Sequence, residues 1–421
     1  MTEAELRAEV TRVLRKNLRS GRSELLDADY CYIAPALDRY PFQWFWDTFF
    51  HVFILLRLGE NELAERNLRS LFTMQQESGF VGHMVFWKQA LPKRRTDIMQ
   101  SRPTWRTLRP HMSALIQPCF AATALLRLYE ASGDLVLDGE MYAHVRRYHE
   151  WLARERDFDG DGLLTLISPF ESGMDWKPSF DPVLGRAQRT TPRRFLTSTL
   201  FWQGVHVDLV NFVLRYDLER IKRRERWLVK DAGFNAIYAF DLEAMAKLAS
   251  LAGDDPSPFV EHRRRVVESI VALMYDEELC AFCDLREPGS EKIPVITPTI
   301  FFPLIAPEVD DGIAARMLER HFDDADGFAT PFPLPSVERR DPAFFAGETP
   351  FIWRGPTWAF NNWFVYQVLK RRGFDERAER LKSSLAHAVE IGGMREYYDP
   401  NTGEGYGAVD FTWSGLLLDM S

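Results

Sequence analysis

The sequence predicts an all-α fold: an (α/α)6 barrel, a toroid of six helical hairpins, with few short strands confined to loops. Three observations predict it. About twelve stretches carry apolar residues at helical period. Several are joined in pairs by a small residue or Gly followed by an acid, which ends one helix and opens the next. Few segments alternate apolar and polar residues with the period of a strand.

The first helix is expected over 3–18, opened by a capping box from Thr2 to Glu5. Helices over 47–58 and 61–75 flank Arg57-Leu58-Gly59-Glu60-Asn61-Glu62. Helices over 112–132 and 138–154 flank Ala131-Ser132-Gly133-Asp134. One further helix spans 203–220. The next pair, 233–252 and 257–274, flanks Leu251-Ala252-Gly253-Asp254-Asp255-Pro256. A helix over 311–321 follows. The pair 357–372 and 375–391 flanks Arg372-Gly373-Phe374-Asp375-Glu376. A last helix covers 412–419. Each junction is a short αα-hairpin. No Pro/Gly/Ser linker or low-complexity tract interrupts the chain, so residues 1–421 read as one domain.

With 421 residues, 46% of them hydrophobic, the chain can bury a large core. A net charge of −9 argues against nucleic acid or an anionic membrane as partner. Basic runs such as Arg223-Arg224-Glu225-Arg226 alternate with acids and read as solvated helix faces. Cys280 and Cys283 form one Cys-x-x-Cys without a second pair or a suitably spaced His, which falls short of a zinc site. No metal and no cofactor is expected. The charged amphipathic N-terminus is no signal peptide, and no apolar run reaches membrane-span length, so a cytoplasmic location is expected.

Aromatics make up 13% of the chain, with 12 Trp and 31 Phe, and several Trp stand beside Asp, Arg, Gln or His. Sugar rings pack their C–H faces on aromatic planes while their hydroxyls need polar partners. Two frames place a carboxylate among aromatics and glycines: Glu171-Ser172-Gly173-Met174-Asp175-Trp176-Lys177-Pro178 and Gly392-Gly393-Met394-Arg395-Glu396-Tyr397-Tyr398-Asp399-Pro400-Asn401-Thr402-Gly403-Glu404-Gly405-Tyr406-Gly407. Two such carboxylates are what glycoside hydrolysis requires, one to protonate the leaving oxygen and one to activate water or attack the sugar. Taken singly, each frame also reads as a surface turn. Glu404 and Glu348 are the competing carboxylates.

The chain resembles the glycoside hydrolases of family 63, their small bacterial members most of all. Besides the two frames, the matching segments are Gln43 to Thr48, Gly79 to Trp87, Leu115 to Pro118, Asp157 to Gly162, Phe234 to Ala236 and Trp353-Arg354-Gly355-Pro356-Thr357-Trp358. The resemblance independently implies a six-hairpin α/α barrel. It makes Asp175 the general acid and Glu396 the general base of an inverting α-glycosidase, the carboxylates standing about 6.5–9.5 Å apart around a water. Met174 and Trp176 give Asp175 an apolar setting that favours its protonated form. The hydroxyls of Tyr397 and Tyr398 are candidates to orient Glu396. Trp46 and Asp47 resemble part of the sugar-binding floor, with Tyr40, Trp87, Gln117, Trp353 and Trp358 at matching positions of the same subsite. Each of these also has the plainer reading of a core residue.

Small size and this resemblance point to a small carbohydrate substrate, an α-mannosyl or α-glucosyl glycerate. A glycerate carboxylate demands a cation, with Lys177 the first choice and Lys88, Arg193 and Arg194 further candidates. Two alternatives stand beside this reading: an α-glucosidase on a neutral disaccharide of the kojibiose or trehalose type, and a non-catalytic sugar-binding protein. Arg354 is expected to hold a carboxylate, of substrate or protein, and His83 to be a hydrogen-bonded loop residue. Asp157-Phe158-Asp159-Gly160-Asp161-Gly162 resembles half a calcium loop, but Ser168 stands where a bidentate Glu is needed. The chain departs from the family pattern at Trp176-Lys177, Ile352, Phe411 and the region 186–216. Sugar epimer, aglycone and oligomeric state stay open.

Overall fold

The computed structural model describes residues 1–24, 26–87, 112–132, 138–185, 200–348 and 352–421. Lys88, Arg193, Arg194 and the Gly133-Asp134 junction lie outside them.

Among the described residues the helices are α1 (Glu3–Asn17), α2 (Phe45–Leu58), α3 (Asn61–Phe72), α4 (Ala121–Ser132), α5 (Gly139–Arg156), α6 (Leu200–Val213) and α7 (Leu218–Arg224). They continue with α8 (Ala232–Ala252), α9 (Ser257–Ser269), α10 (Asp311–Met317), α11 (Ala359–Arg371) and α12 (Asp375–Gly392). Two 3-10 helices, Pro298–Ile305 and Thr412–Asp419, complete the barrel. The inner ring closes in the order α2, α4, α8, Pro298–Ile305, α11, Thr412–Asp419 and back to α2, each packing on the next. Inner members are buried on nearly all sides: every residue of α2 from Phe45 to Leu55 is buried. Outer members α3, α5, α9, α12 and α1 pack on their inner partners, and Phe301 meets Phe322 edge-on beside α10. One apolar core runs from Leu6 to Met420.

The Thr2–Glu5 capping box forms as expected. Gly59 and Gly253 end α2 and α8 in the left-handed conformation. The strands are short and sit in loops: β1 (Leu18–Ser23) with β2 (Ala28–Ile33), and β3 (Gln43–Trp44) with β4 (Met84–Val85). A three-stranded sheet joins β5 (Val229–Lys230), β8 (Asp284–Arg286) and β9 (Glu291–Ile293), and β6 (Tyr275–Asp276) pairs with β7 (Ala281–Phe282). Finally, β10 (Arg395–Tyr398) pairs with β11 (Gly405–Val409).

Four expectations need correction. The helix expected from 112 begins at Ala121, because residues 113–115 run extended and bond to His83 and Met84. The helix expected over 203–220 breaks into α6 and α7, since Arg215 and Tyr216 take positive φ. The inner helix Pro298–Ile305 was not foreseen: Pro298 and Pro303 mask its periodicity and hold it in 3-10 form. The last helix is 3-10, not α.

Candidate active site

The segments that feed the starts of the inner helices gather the polar aromatics. Tyr40 precedes α2, Trp353 and Trp358 precede α11, and Glu396 on β10 precedes Thr412–Asp419. Trp46 packs edge-on and tilted among Phe50, Phe360 and Trp413, at ring distances of 5.3, 5.0 and 4.9 Å. Trp353 lies flat on Trp358 at 3.8 Å, and both approach Trp413. Phe411 bridges Trp413 to Tyr40. One aromatic wall therefore runs from Trp46 to the phenol beside Glu396. Trp413 was missed by sequence reading, although Phe411-Thr412-Trp413-Ser414-Gly415 has the same aromatic and small-residue character as the segments that were found.

The Glu396 side chain is 1% exposed. Its Oε1 accepts from the Tyr40 hydroxyl at 2.6 Å, and its Oε2 accepts from Arg39 Nη1 at 2.8 Å and Ala408 N at 2.7 Å. The last contact needs Gly407 at φ +70, where a Cβ would sit 2.4 Å from Glu396 Oε2. Burial raises the Glu396 pKa, while Arg39, Tyr40 and the Ala408 amide pull the other way. Arg39 was not foreseen. Tyr397 and Tyr398 do not supply the orienting hydroxyl that sequence suggested: the Tyr398 hydroxyl lies between Gly393 O and Ser414 Oγ, and Tyr397 packs its ring on Trp358 and Tyr406.

Asp175 is half-buried between Met174 and Trp176, and its carboxyl has no hydrogen bond to another described residue. Desolvation, helped by the charge of Asp208, pushes it up to about 8. The charges of both Glu396 and Asp175 act on the Tyr40 phenol, which burial has already driven well above its ordinary value. The two carboxylates thus act on one phenol and differ in kind: among the described residues one is held by three donors, the other by none. The Asp175 loop leans on Trp46 through Gly173, at φ +73, where a Cβ would meet the Trp46 ring at 2.5 Å.

Asp47 accepts from Trp413 Nε1 at 2.6 Å, and burial lifts it to about 7. Gln117 Oε1 accepts from Trp46 N at 3.3 Å. Trp87 is buried with Nε1 donating to Gln43 and its ring stacked on Tyr30, which leaves its indole no polar group for a sugar. Lys177 requires a plain correction. Its ammonium is buried and paired with Asp231 and Asp284, so it cannot meet a substrate carboxylate. Arg354 holds a protein carboxylate, that of Asp181, with Nη1 at 2.9 Å. His83 is buried, bonds to Ser113 Oγ and is pushed down to about 3 by desolvation. Glu404 is exposed and bonded to Tyr406, while the charge of Glu348 reaches Arg39 and Tyr406.

Two clusters have the composition of metal sites. In the acidic loop the Lys230 ammonium stands at 2.8 Å from Asp159 and 2.6 Å from Asp161, with Glu287 at 3.4 Å. Asp157 accepts from the amides of Gly160 and Gly162. The loop thus holds a cation that belongs to the chain. The other cluster is Cys119, His149 and Asp241, all buried, with ligand atoms within 4.8 Å of one another. Asp241 Oδ1 accepts from Thr123 N and Oγ1, and Oδ2 from Ala122 N, Cys119 and His149. Its carboxylate caps the start of α4, where the helix dipole opposes a further cation.

The barrel and its pair of desolvated carboxylates define a glycoside hydrolase. The chain belongs to the mannosylglycerate hydrolase MGH1-like glycoside hydrolase domain family, which it matches over residues 40–414. A mannosylglycerate hydrolase of Thermus thermophilus is 30% identical over 92% of this chain and 95% of its own length. A glucosylglycerate hydrolase of Mycolicibacterium hassiacum is 26% identical over 91% of this chain and 92% of its own. In three dimensions the chain is similar to a family 63 mannosylglycerate hydrolase from Thermus thermophilus, solved in complex with Tris and D-glycerate, with a TM-score of 0.83, 29% identity and 99% of both chains covered.

Proposed function

We propose that the chain hydrolyses an α-glycoside of glycerate, mannosyl or glucosyl, with inversion. The observation that carries this reading is the asymmetry of the two carboxylates. Asp175, lifted to about 8 and without a hydrogen-bond partner among the described residues, suits a general acid. Glu396, oriented by Tyr40, Arg39 and Ala408 N, suits a base that activates water. In the step, the proton of Asp175 passes to the glycosidic oxygen as the bond from C1 to that oxygen breaks and its electron pair stays on the oxygen. Water attacks C1 from the opposite face and gives its proton to Glu396. Trp46, Trp353, Trp358 and Trp413 supply the wall, and Asp47, Gln117 and Tyr40 the polar groups, of the sugar subsite.

The names of the relatives support glycerate as leaving group. With Lys177 engaged elsewhere, Lys88, Arg193 and Arg194 are the candidates for its carboxylate. We read residues 1–421 as a single catalytic domain, supported by the main core, which runs from Leu6 to Met420. Among the described residues no helix is long and apolar enough to cross a membrane. The four cysteines are unpaired and buried, which suits the cytoplasm.

The test is a substrate panel. Mannosylglycerate and glucosylglycerate should release sugar faster than kojibiose or trehalose. Faster cleavage of the neutral disaccharides would shift the reading to an α-glucosidase, and cleavage of none to a sugar-binding protein.

A further inference from the structure

Asp175 lies on a segment, 169–185, that has only single 3-10 turns at Pro169–Glu171 and Pro178–Phe180. Segments of this kind are ordinarily the mobile parts of a fold. This one is tied down on both sides of the acid by buried ions. Upstream, Glu171 forms a two-bonded pair with Arg156 at the end of α5 and accepts from the amides of Ile116 and Ile167. Two residues after the acid, the Lys177 ammonium contacts Asp231 and stands 2.7 Å from Asp284. Asp231 caps α8 through Phe234 N, and Asp284 accepts from Ala232 N and from Ser179 Oγ. Six residues after the acid, Asp181 forms a two-bonded pair with Arg354, in the segment that leads into α11. All of these side chains are at most 4% exposed.

Such pairs are poor sources of stability, because desolvation consumes much of the Coulombic gain and apolar replacements of similar volume often do as well. What they supply is direction, since a forked or three-centred contact fixes where the chain runs as an apolar contact does not. Among the described residues no such ion touches Asp175 itself, whose carboxyl is desolvated. The anchors fix the backbone on either side of the acid.

We propose that the ion pairs of Lys177 with Asp231 and Asp284, and of Asp181 with Arg354, are positioning devices for the acid, holding the Asp175 carboxyl in line with the leaving oxygen. The proposal rests on the reading of Asp175 as general acid. Its consequence is selective. A loosened loop harms proton delivery and therefore harms only substrates whose leaving group needs the proton. An alkyl glycoside leaves as an alcohol and needs it. An α-glycosyl fluoride of the same sugar leaves as fluoride and needs it far less.

The experiment compares full-length Lys177→Met and Arg354→Met with the parent on these two substrates. Loss on the alkyl glycoside should be on the order of 10²-fold, the effect of displacing a reacting group by about an ångström. Turnover of the fluoride should stay within about fivefold, and the alkaline limb of kcat/KM should move. Equal losses on both substrates would overturn the proposal and leave the pairs merely structural. If either variant fails to fold, Asp284→Asn, which keeps the Lys177–Asp231 contact, and Ser179→Ala carry the same comparison. Asp175→Asn is the control. If it spares the fluoride while Lys177→Met does not, the acid reading stands and the positioning proposal fails. If it lowers both equally, the acid reading fails and takes the proposal with it.

Discussion

The Tyr40 hydroxyl donates to Oε1 of Glu396 at 2.6 Å across 356 positions of chain, and the adjacent Arg39 takes Oε2. The segment before α2 therefore orients the carboxylate that sits on β10. Both contacts favour the ionised form against a burial that disfavours it. Removing either should raise the pKa of Glu396 and, if it is the proposed base, move the acid limb of the pH–rate profile to higher pH. Tyr40→Phe and Arg39→Met should each lose roughly 10–100-fold in kcat, as expected for a hydrogen bond to a charged group. The loss should be larger at pH 5 than at pH 7.5. A profile that drops without shifting would contradict this.

The roles of the two acids have a direct check. Asp175→Asn and Glu396→Gln should each lower turnover by about a thousandfold or more while binding survives. Glu404→Gln should stay within a few-fold, because Glu404 is exposed and, among the described residues, bonded to its own turn and Tyr406. Early proton NMR should show the β-anomer from an α-linked substrate. An early α-anomer would mean retention.

Stability should carry the mark of Asp175. Its folded pKa of about 8 exceeds the ordinary 3.8, so between those values the folded state binds the proton more tightly than the unfolded state. The contribution of this group to stability is full below about pH 4 and is lost as pH rises through 8. Asp175→Asn removes the group that must ionise at a cost. Its Tm should exceed that of the parent at pH 9, and the gain should vanish toward pH 4. Thermal melts at both pH values decide this.

Asp47→Ala would leave Trp413 Nε1 unpaired in a buried place. The expected cost is about 1–3 kcal/mol in stability, with most activity lost and the fold retained. Normal kinetics in this variant would return Asp47 to a purely structural role.

Lys230→Met should convert the acidic loop into a calcium responder. It leaves Asp159, Asp161 and Glu287 without their cation. Ca²⁺ should raise the Tm of this variant and not that of the parent. A parent that also responds would show that the loop takes the ion alongside Lys230.

Much of the barrel was legible because helix period, caps and Gly–acid junctions are local signals. They failed where backbone chemistry overrode period: at Pro298 and Pro303, which made an inner-ring helix look like a loop, and at Arg215 and Tyr216, whose positive φ cuts one apolar run into two helices. The two carboxylate frames were legible for the same reason, since glycine and aromatic neighbours lie within a few residues of each acid.

Partners were not legible. Lys177 looked available for a substrate because nothing near it in the chain is its counter-ion; Asp231 and Asp284 reach it from the start of α8 and from β8. Arg39 and Trp413 passed unnoticed because Glu396 and Asp47 meet them only when the ring closes. By itself the sequence determined the helical toroid and the family and pointed to the two proposed acids, all carried by local patterns and specific motifs. Only the tertiary structure decided which group orients Glu396, what isolates Asp175 and where each buried charge finds its partner. Desolvation and ion pairing depend on neighbours in space, and folding brings those neighbours from hundreds of residues away.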